Sequence, residues 1–530
     1  MLGVPRRPSA IAALLLLAAL AVAGGVAALA PRGPRPAAQR WSPLLRDAGL
    51  PIGSGPAEGG GGRVASSAES PGSAVPTVPE RLGWLALGGG AEPSSNQVSL
   101  EQDLRLAREV LGPRAPGLVL FAGGPGSMVV ELDRHPAADP LRDELAGLLD
   151  PRENRDARYR PSTLAVDGAA TRPLLGEVLA RALAERGAGP LLIYVAAHGN
   201  AADKARDDSV WLWGADSLSA VDLAALLDRA PAPRPALWVM SSCFSGGFAE
   251  LIFAQADEAK GHAPPNRCGL FASTWDREAA GCDPNPNRRQ QQSYGLFFLN
   301  ALRRTDRDGR PLPAAAVDFD GDGQVSPLEA HARVRIAARS ISVPTTTSER
   351  WLREAAPQTG AERPFAWPEE SAVVAELGRA LGLANAVAAR ARQATLDDLR
   401  ITADRALEAL ERERDQRLHA LQLRLLERWP ELDDAWRTDF AATLTREHGA
   451  IQAMLDRSSE AQAYREAEDG VQRASEGYAE LEEQLAMVDR LVRAHENLEL
   501  AARLQARGGP PFDYFRQLLA CERGWPGEGK

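Results

Sequence analysis

Short apolar runs alternate with helical patterns between residues 99 and 357. Four runs have the length and character of buried strands: GLVLFA at 117–122, LLIYVA at 191–196, ALWVM at 236–240 and GLFAS at 269–273. Between them, residues 171–185 and 219–227 show the spacing of amphipathic helices, the second with Ser219 as its N-cap. Because successive parallel strands need crossover connections, the pattern predicts an α/β fold with a mostly parallel sheet covered on both faces.

The chain from residue 368 to 507 has a different pattern, since Pro and Gly are scarce and Ala, Leu, Glu and Arg dominate. Apolar residues recur there every three to four positions, with expected breaks at 429–430 and at Gly470. This predicts an all-α, coiled-coil-like C-terminal region, either a helical bundle or a coiled coil. Its expected role is self-association or contact with a partner protein. A C-terminal tail at 508–530 completes the chain.

The first residues have the composition of a targeting segment. Arg6 and Arg7 precede an uncharged stretch rich in Ala and Leu, typical of either a cleaved signal peptide or an uncleaved membrane anchor. Both alternatives place the chain outside the cytoplasm, periplasmic or extracellular, with membrane contact only through residues 1–30. Residues 31–97 are rich in Pro, Gly and Ser and are expected to form a disordered linker, although the apolar residues around Trp84 could dock on the α/β region that begins near residue 98.

Composition and charge narrow the functional classes. The 530 residues include 61 Lys and Arg against 71 Asp and Glu, a formal net charge of −10. A balance this acidic argues against nucleic acid as a partner, because phosphate binding needs a basic surface. Four cysteines are too few for a disulfide scaffold in a chain of this length.

Two residues with catalytic chemistry lie at the ends of successive predicted strands. His198 ends the run that begins at 191, and Cys243 lies in SSCFSGG, just beyond the strand at 236–240. If the two strands are neighbours, both side chains emerge on the rim where α/β sheets bind their ligands. A cysteine thiolate is a strong nucleophile, and histidine titrates in the range needed to protonate a departing amine. Gly199 and the small residues around the cysteine leave backbone N–H groups free to approach an oxyanion.

These motifs resemble the caspase–legumain group of cysteine peptidases (clan CD), and SSCFSGGF is closest to the bacterial legumain-like and caspase-like members. FASTWDREAAGC at 271–282 is similar to the legumain segment after the nucleophile. The resemblance implies a caspase-like three-layer α/β/α sandwich, with the peptidase domain at 98–357. It also implies that Cys243 is the nucleophile, that His198 is the proton donor and acceptor, and that the amides of Gly199 and Cys243 form the oxyanion hole.

The resemblance leaves the P1 preference open. Ser241 stands where related enzymes often carry Asp, Glu or Gln, at a position that shapes the S1 pocket. By the same resemblance the loop after residue 273 borders that pocket, so that Asp276 or Glu278 could favour a basic P1 residue. Cys268 and Cys282 flank this loop. They could close a loop of about 15 residues, but we expect two free thiols, because the sequence does not show the geometry of the pair.

Residues 318–329 fit an EF-hand calcium loop at every constrained position. The expected ligands are Asp318, Asp320 and Asp322 at positions 1, 3 and 5, the Gln324 carbonyl at 7, Ser326 at 9 and Glu329 at 12. Gly323 supplies the turn at position 6. Pro311 and Pro313 exclude a helix directly before the loop, so the pattern predicts half of an EF hand. We expect a structural calcium ion, since calcium is plentiful outside the cytoplasm.

The sequence therefore predicts an exported or membrane-anchored cysteine endopeptidase that uses a Cys–His dyad and is stabilised by calcium. Its substrate would be a protein or peptide. The alternative is a catalytically inactive caspase-like scaffold, or a calcium-binding interaction protein that acts through its C-terminal helices. The pair His198 and Cys243 favours the enzyme, because an inactive relative would commonly have lost one of them.

Overall fold

A computed structural model describes residues 79, 81–133, 139–150, 156–185, 189–229 and 234–524. The predicted signal or anchor at 1–30 and most of the predicted linker lie outside these residues. Within them, no single helix is long and apolar enough to cross a membrane. One bent pair of consecutive helices, Pro368–Leu381 with Ala386–Arg428, reaches that length and composition only when the two are joined.

Strands and helices are interspersed along the chain up to residue 355. The strands are β1 (Trp84–Gly89), β2 (Gly117–Phe121), β3 (Met128–Leu132), β4 (Ala157–Pro161), β5 (Leu191–Ala197), β6 (Gly199–Asn200), β7 (Ser209–Leu212), β8 (Asp216–Ser219), β9 (Ala236–Met240), β10 (Arg267–Phe271) and β11 (Thr345–Thr346). The α-helices are α1 (Val98–Leu111), α2 (Pro140–Leu149), α3 (Arg172–Ala184), α4 (Ala220–Asp228), α5 (Tyr294–Leu302), α6 (Pro327–Ala337), α7 (Thr347–Ala355), α8 (Pro368–Leu381), α9 (Ala386–Arg428), α10 (Phe440–Arg457), α11 (Ser459–Arg507) and α12 (Pro510–Arg523).

The central sheet has the strand order β11-β10-β9-β5-β1-β2. Its neighbours are parallel except for the short strand β11, which is antiparallel to β10. The predicted α/β fold with a mostly parallel sheet and a helical C-terminal region is confirmed. Successive side chains point to opposite faces, so Trp84 and Ala86 enter one apolar core while Leu85 and Leu87 enter another. Helices α1, α5, α6 and α12 supply the first core, and α3 and α4 supply the second.

Strand β1 corrects the predicted linker, which cannot extend to residue 97. All six residues of β1 are buried, and the strand lies between β2 and β5 in the middle of the sheet. The glycines of this segment give it the composition of a linker. In the structure they instead allow close packing of β1 against its neighbours. A Cβ on Gly88 would lie 2.2 Å from the carbonyl oxygen of Ala196 in β5. Two neighbouring strands and two apolar faces stabilise a segment whose own β pattern is weak.

The chain folds into two compact units, and their borders differ from the predicted domains. The sheet unit contains the described residues of 36–132, 157–386 and 489–530, and the helical unit those of 133–156 and 387–488. The predicted peptidase domain at 98–357 therefore lacks β1, residues 358–386 and the chain from residue 489 onward. It also includes α2, which belongs to the helical unit. Sequence periodicity predicts helices but not which body each helix packs against.

Within the helical unit, α2, α9 and α10 share an apolar cluster that includes Leu145, Leu425 and Ile451. The predicted break at 429–430 is confirmed, because α9 ends at Arg428 and a 3-10 turn begins at Pro430. The break predicted at Gly470 is wrong, since α11 runs through it without interruption. One glycine costs a helix only about 1 kcal/mol, which packing along a long helix offsets.

The cysteine pairing differs from both alternatives drawn from the sequence. Cys268 in β10 is bonded to Cys521 in α12, with their Cα atoms 6.0 Å apart. Cys282 has a free thiol, as does Cys243. The hydroxyl of Tyr514 also donates to the carbonyls of Ile252 and Ala263, so α12 is held against the sheet by a covalent bond and by buried hydrogen bonds.

Candidate active site and calcium loop

His198 and Cys243 lie at adjacent strand ends, as the sequence predicts. Strands β5 and β9 are parallel neighbours in the sheet, with Val195 opposite Met240. The two backbones meet just beyond these strands, since a Cβ on Gly199 would lie 2.0 Å from the carbonyl oxygen of Cys243. Only glycine permits this approach. The sheet therefore brings the candidate nucleophile, the candidate base and Gly199 to one rim.

The ring of His198 is fixed by two acceptors. Its Nε2 lies 2.9 Å from the carbonyl oxygen of Ser95 and 2.7 Å from Oε1 of Gln97. Since both neighbours accept, Nε2 carries a hydrogen, which makes Nδ1 the basic nitrogen of the neutral ring. The indole of Trp211 packs beside the ring, 4.8 Å between centroids. Burial lowers the pKa of His198, although the hydrogen bond to Ser95 opposes this shift.

Ser95 and Gln97 are the site residues that the sequence analysis missed, because they lie in the supposed linker. The loop that carries them comes after β1 and is held by the buried Asn96. The Asn96 side chain accepts from the amide of Gly90 (3.1 Å) and donates to the carbonyl of Met128 (2.8 Å). A glycine run after a short apolar run, with Ser, Asn and Gln close behind it, is the local signal that could have indicated a strand and a polar loop.

Cys243 lies in a tight turn that leads into a 3-10 helix, Ser245–Ile252. Phe244 has a left-handed backbone with φ 56°, and its amide donates to the carbonyl of Arg277 (2.9 Å). The Sγ of Cys243 accepts from the amide of Ala279 (3.3 Å) and donates to its carbonyl (3.5 Å). Residues 276–282, here called the covering segment, therefore contact the thiol directly.

The thiol and the imidazole are both held in their neutral forms. Burial raises the pKa of Cys243 to about 11, and the negative charge of Glu278 acts in the same direction against the Ala279 hydrogen bond. Burial lowers the pKa of His198 for the same physical reason, since low polarity disfavours charge. Such a pair does not rest as an ion pair.

The structure separates the predicted pocket residues. Ser241 is buried, and its Oγ accepts from the amide of Gly295 at the start of α5 (3.1 Å). Asp276 is exposed and accepts from the hydroxyl of Thr274 (2.7 Å). Glu278 is half-buried and acts electrostatically on Cys243. Of the three, only Glu278 acts on the thiol of Cys243, while Ser241 is bound to the start of α5 and Asp276 to Thr274.

The covering segment is held by the chain at the opposite end of the sequence. The guanidinium of Arg277 lies 2.6 Å from the carboxylate of Asp489 in α11. The amide of Ala280 donates to Oγ of Ser342 (2.9 Å), and the buried Arg490 donates to the carbonyl of Ser342 (2.7 Å). Two successive residues of α11 therefore stabilise the segment that lies over Cys243.

The three aspartates of the predicted calcium loop come together. Carboxylate oxygens of Asp318, Asp320 and Asp322 all lie within 4.8 Å of one another. Two oxygens that bind one calcium at about 2.4 Å are at most twice that distance apart, so the group fits the ion. Gly321 and Gly323 have positive φ (76° and 84°), which the tight loop requires. The residues present fit calcium.

Of the remaining predicted ligands, Gln324 is exposed in the loop and its amide donates to Asp322 (2.7 Å), while Ser326 and Glu329 are engaged at the start of α6. Glu329 accepts from the amides of Phe319 (2.6 Å) and Ser326 (2.8 Å) and lies outside the aspartate group. Oγ of Ser326 accepts from the amide of Glu329 (3.1 Å), which forms a capping box at the start of α6. A short 3-10 turn, Ala314–Ala316, precedes the loop. Glu329 thus stabilises the start of α6, and the three aspartates are the carboxylates whose spacing fits a metal ion.

The chain matches no protein-family model, and no curated protein matches its sequence. Function is therefore inferred from the residues and their geometry.

Proposed function

We propose that this protein is an exported cysteine endopeptidase with a caspase-like three-layer α/β/α sandwich. The observation that carries the proposal is the meeting of His198 and Cys243 at neighbouring parallel strand ends, with Nε2 of the histidine fixed by two acceptors. The free thiol of Cys243 at the end of the neighbouring strand supports a catalytic rather than a merely structural role for this histidine. The resemblance of SSCFSGGF to legumain-like and caspase-like peptidases supports the same chemistry.

The proposed reaction depends on the neutral pair. Nδ1 of His198 takes the thiol proton while Sγ of Cys243 attacks the scissile carbonyl carbon. The amides of Gly199 and Cys243 would stabilise the oxyanion of the tetrahedral intermediate. His198 then gives the proton to the leaving amine, and a thioester remains on Cys243. A water molecule, deprotonated by His198, attacks this thioester; the carboxylic acid leaves and the thiol regains its proton.

Export and calcium binding belong to the same proposal. The disulfide between Cys268 and Cys521 supports an oxidising compartment, because such bonds are rare in the cytosol. The Asp318 loop packs Val325 into the core of the sheet unit, so an ion bound there would stabilise that unit. The calcium ion is therefore expected to have a structural role.

The alternative function is an inactive scaffold that acts through its helices. Assays of catalysis distinguish the peptidase from the scaffold.

The test of catalysis compares three single variants of the purified protein. Cys243→Ala is expected to abolish hydrolysis of a mixed peptide library and labelling by an electrophilic peptide probe. His198→Ala should lower turnover by about 100-fold or more, a typical general acid–base contribution. Cys282→Ala is the matched control, since it removes the other free thiol and should leave hydrolysis intact. Absence of hydrolysis and labelling in the wild type would support the scaffold instead.

The calcium claim has its own test, by calorimetry and thermal unfolding. Calcium at 100 times its Kd is expected to stabilise the folded state by about 2.7 kcal/mol, and chelation should remove this gain. Asp320→Asn should abolish the calcium-dependent shift in Tm. Asp308→Asn, in a nearby acidic turn outside the loop, should keep it. Wild-type protein that binds no calcium in the titration would refute the claim.

A further inference from the structure

The helical unit contains an apolar pocket, here called the helical-unit pocket. Four buried side chains form its floor: Leu148 of α2, Leu421 of α9, Leu455 of α10 and Ala461 of α11. Its volume is about 240 Å³. Because an apolar cavity of about 150 Å³ takes a benzene ring, this pocket has room for a larger ring system such as an indole.

Exposed residues surround the mouth of the helical-unit pocket. Gly147, Glu144 and Arg465 line it and face solvent. The carboxylate of Glu144 and the guanidinium of Arg465 are 4.0 Å apart, which is a loose ion pair. Arg465 is held in place mainly by the backbone, because it donates to the carbonyls of Leu455 (2.5 Å) and Asp456 (3.4 Å). The mouth therefore combines access from solvent with a cation in a fixed position.

Trp436 is the most exposed large apolar side chain in the described part of the chain, with 92% of its surface in solvent. It lies between α9 and α10, and its amide donates to Oδ1 of Asp434 (2.8 Å). The amide of Arg437 donates to the carbonyl of Asp434 (3.1 Å), which closes the turn. Leu432 and Phe440 on either side are buried in the core of the helical unit. A hydrogen-bonded turn with two buried anchors therefore holds the indole in solvent at a fixed place.

The turn and the pocket are complementary in size and in charge. Residues 431–439 contain four carboxylates and one arginine, so the turn is negatively charged. With the indole in the pocket, Asp434 would pair with Arg465 at the mouth. The carboxylate of Glu144 is an acceptor for the indole N–H, which normally has a partner when it is buried. Tryptophan and arginine are also enriched among the residues that contribute most to binding at interfaces.

The indole does not fill the pocket of its own chain. Trp436 is not among the residues that line the pocket. The turn comes just before Phe440, whereas Leu455 lies near the other end of α10, roughly 22 Å further along the helix. Since the indole and the pocket lie at separate places, a contact between them forms between two copies of the chain. Two copies related by a two-fold axis make this contact twice, which closes a dimer.

We propose that the protein self-associates by inserting Trp436 of each copy into the helical-unit pocket of a second copy. This inference goes beyond the peptidase function and does not depend on it, because every residue involved belongs to the helical unit. A tryptophan buries about 150 to 250 Å². Two such contacts and their rims make a small interface, which is typical of weak and reversible association.

The first experiment measures the mass of the purified protein by sedimentation. From about 1 to 300 µM the wild type is expected to change from monomer to dimer, with a Kd on the order of 10 µM. Trp436→Ser should raise this Kd roughly 30-fold or more, the effect of a residue at the centre of an interface. Gly147→Leu, which adds a side chain at the mouth of the pocket, should do the same. Leu423→Ser is the matched control, because it removes another exposed apolar side chain of the helical unit that does not line the pocket.

The second experiment traps the contact covalently. The photoreactive residue p-benzoylphenylalanine is placed at position 436, and the protein is irradiated as a mixture of unlabelled and ¹⁵N-labelled copies. Cross-links are expected between one copy's position 436 and peptides of the other copy that contain Leu148, Leu455 or Tyr464. Mass spectrometry of mixed-isotope peptides identifies these links as contacts between copies.

Each other outcome overturns a defined statement. A wild type that stays monomeric over this range refutes self-association and leaves Trp436 to a different partner. Dimers that persist in Trp436→Ser refute the role of the indole, and dimers that persist in Gly147→Leu, with links mapped elsewhere, refute the pocket. Assemblies that grow beyond a dimer refute the reciprocal arrangement. None of these results bears on hydrolysis by Cys243, so failure of this proposal is distinct from failure of the peptidase function.

Discussion

The disulfide between Cys268 and Cys521 is expected to be a large single contribution to the stability of the sheet unit. The two residues are 253 positions apart, so the bond closes a very long loop in the unfolded chain. In the chain-entropy relation, the loss of unfolded-state freedom grows with the logarithm of loop length and reaches roughly 5.5 kcal/mol at this separation. Any strain in the folded state would reduce this value.

The perturbation is the double variant Cys268→Ser/Cys521→Ser, which avoids an unpaired buried thiol. With an m-value of about 3 kcal/mol/M, a loss of this size lowers the urea midpoint by roughly 2 M. Unfolding can be followed by tryptophan fluorescence, because Trp351 donates to the carbonyl of Pro511 (2.9 Å) and packs against the ring of Tyr514 (4.6 Å between centroids). Release of α12 changes the surroundings of that indole.

Cys282→Ala is the control for loss of a cysteine without loss of the bond, and its midpoint should stay near that of the wild type. Reductant should lower the midpoint of the wild type but not that of the double variant. Equal midpoints for the oxidised wild type and the double variant would refute the estimate. Separately alkylated Cys268 and Cys521 peptides from non-reduced exported protein would refute the bond itself.

Three further outcomes are expected from buried groups in the sheet unit. Burial raises the pKa of Asp208 from 3.8 to about 7, so stability is lost as pH rises between these values. Asp208→Asn should raise Tm at pH 8 but not at pH 4, and an equal shift at both would contradict this. Gln97→Leu should lower kcat roughly 10- to 100-fold by releasing the His198 ring, while an unchanged kcat would leave Gln97 without a positioning role. Because burial lowers the pKa of His198, the acid limb of the pH profile of kcat/KM should lie below pH 6.5. Gln97→Glu should move this limb to higher pH, because a carboxylate favours the charged imidazole. If the substitution does not move the limb, a group other than His198 is responsible for it.

Features encoded within a few residues could be predicted from the sequence. The apolar runs that become β5 and β9 stand out against their polar flanks, and both end at the candidate catalytic residues. The turn that holds Asp318, Asp320 and Asp322 also depends on local spacing, and the structure brings their carboxylates together. In each case the interactions that determine the feature act between residues close together in the sequence. Examples are the apolar pattern of a buried strand and the hydrogen bond from a loop amide to a nearby aspartate.

Contacts between distant residues could not be predicted in this way. Gln97 binds a ring 101 positions later, and nothing near Gln97 indicates it. The partner of Cys268 depends on where α12 packs, which its own amphipathic pattern does not specify. Strand β1 was missed because its stability comes from neighbours on both sides rather than from its own composition.

The support of the covering segment by Asp489 and Arg490 has a consequence for how the protein is made. Ribosomes release the chain from its first residue to its last, so His198 and Cys243 emerge long before the residues that hold the loop over the thiol. A nascent or prematurely terminated chain that stops before Asp489 contains both candidate catalytic side chains but lacks the contacts that position Arg277 and Ala280. The candidate site is therefore complete only in a chain that has been synthesised past Arg490.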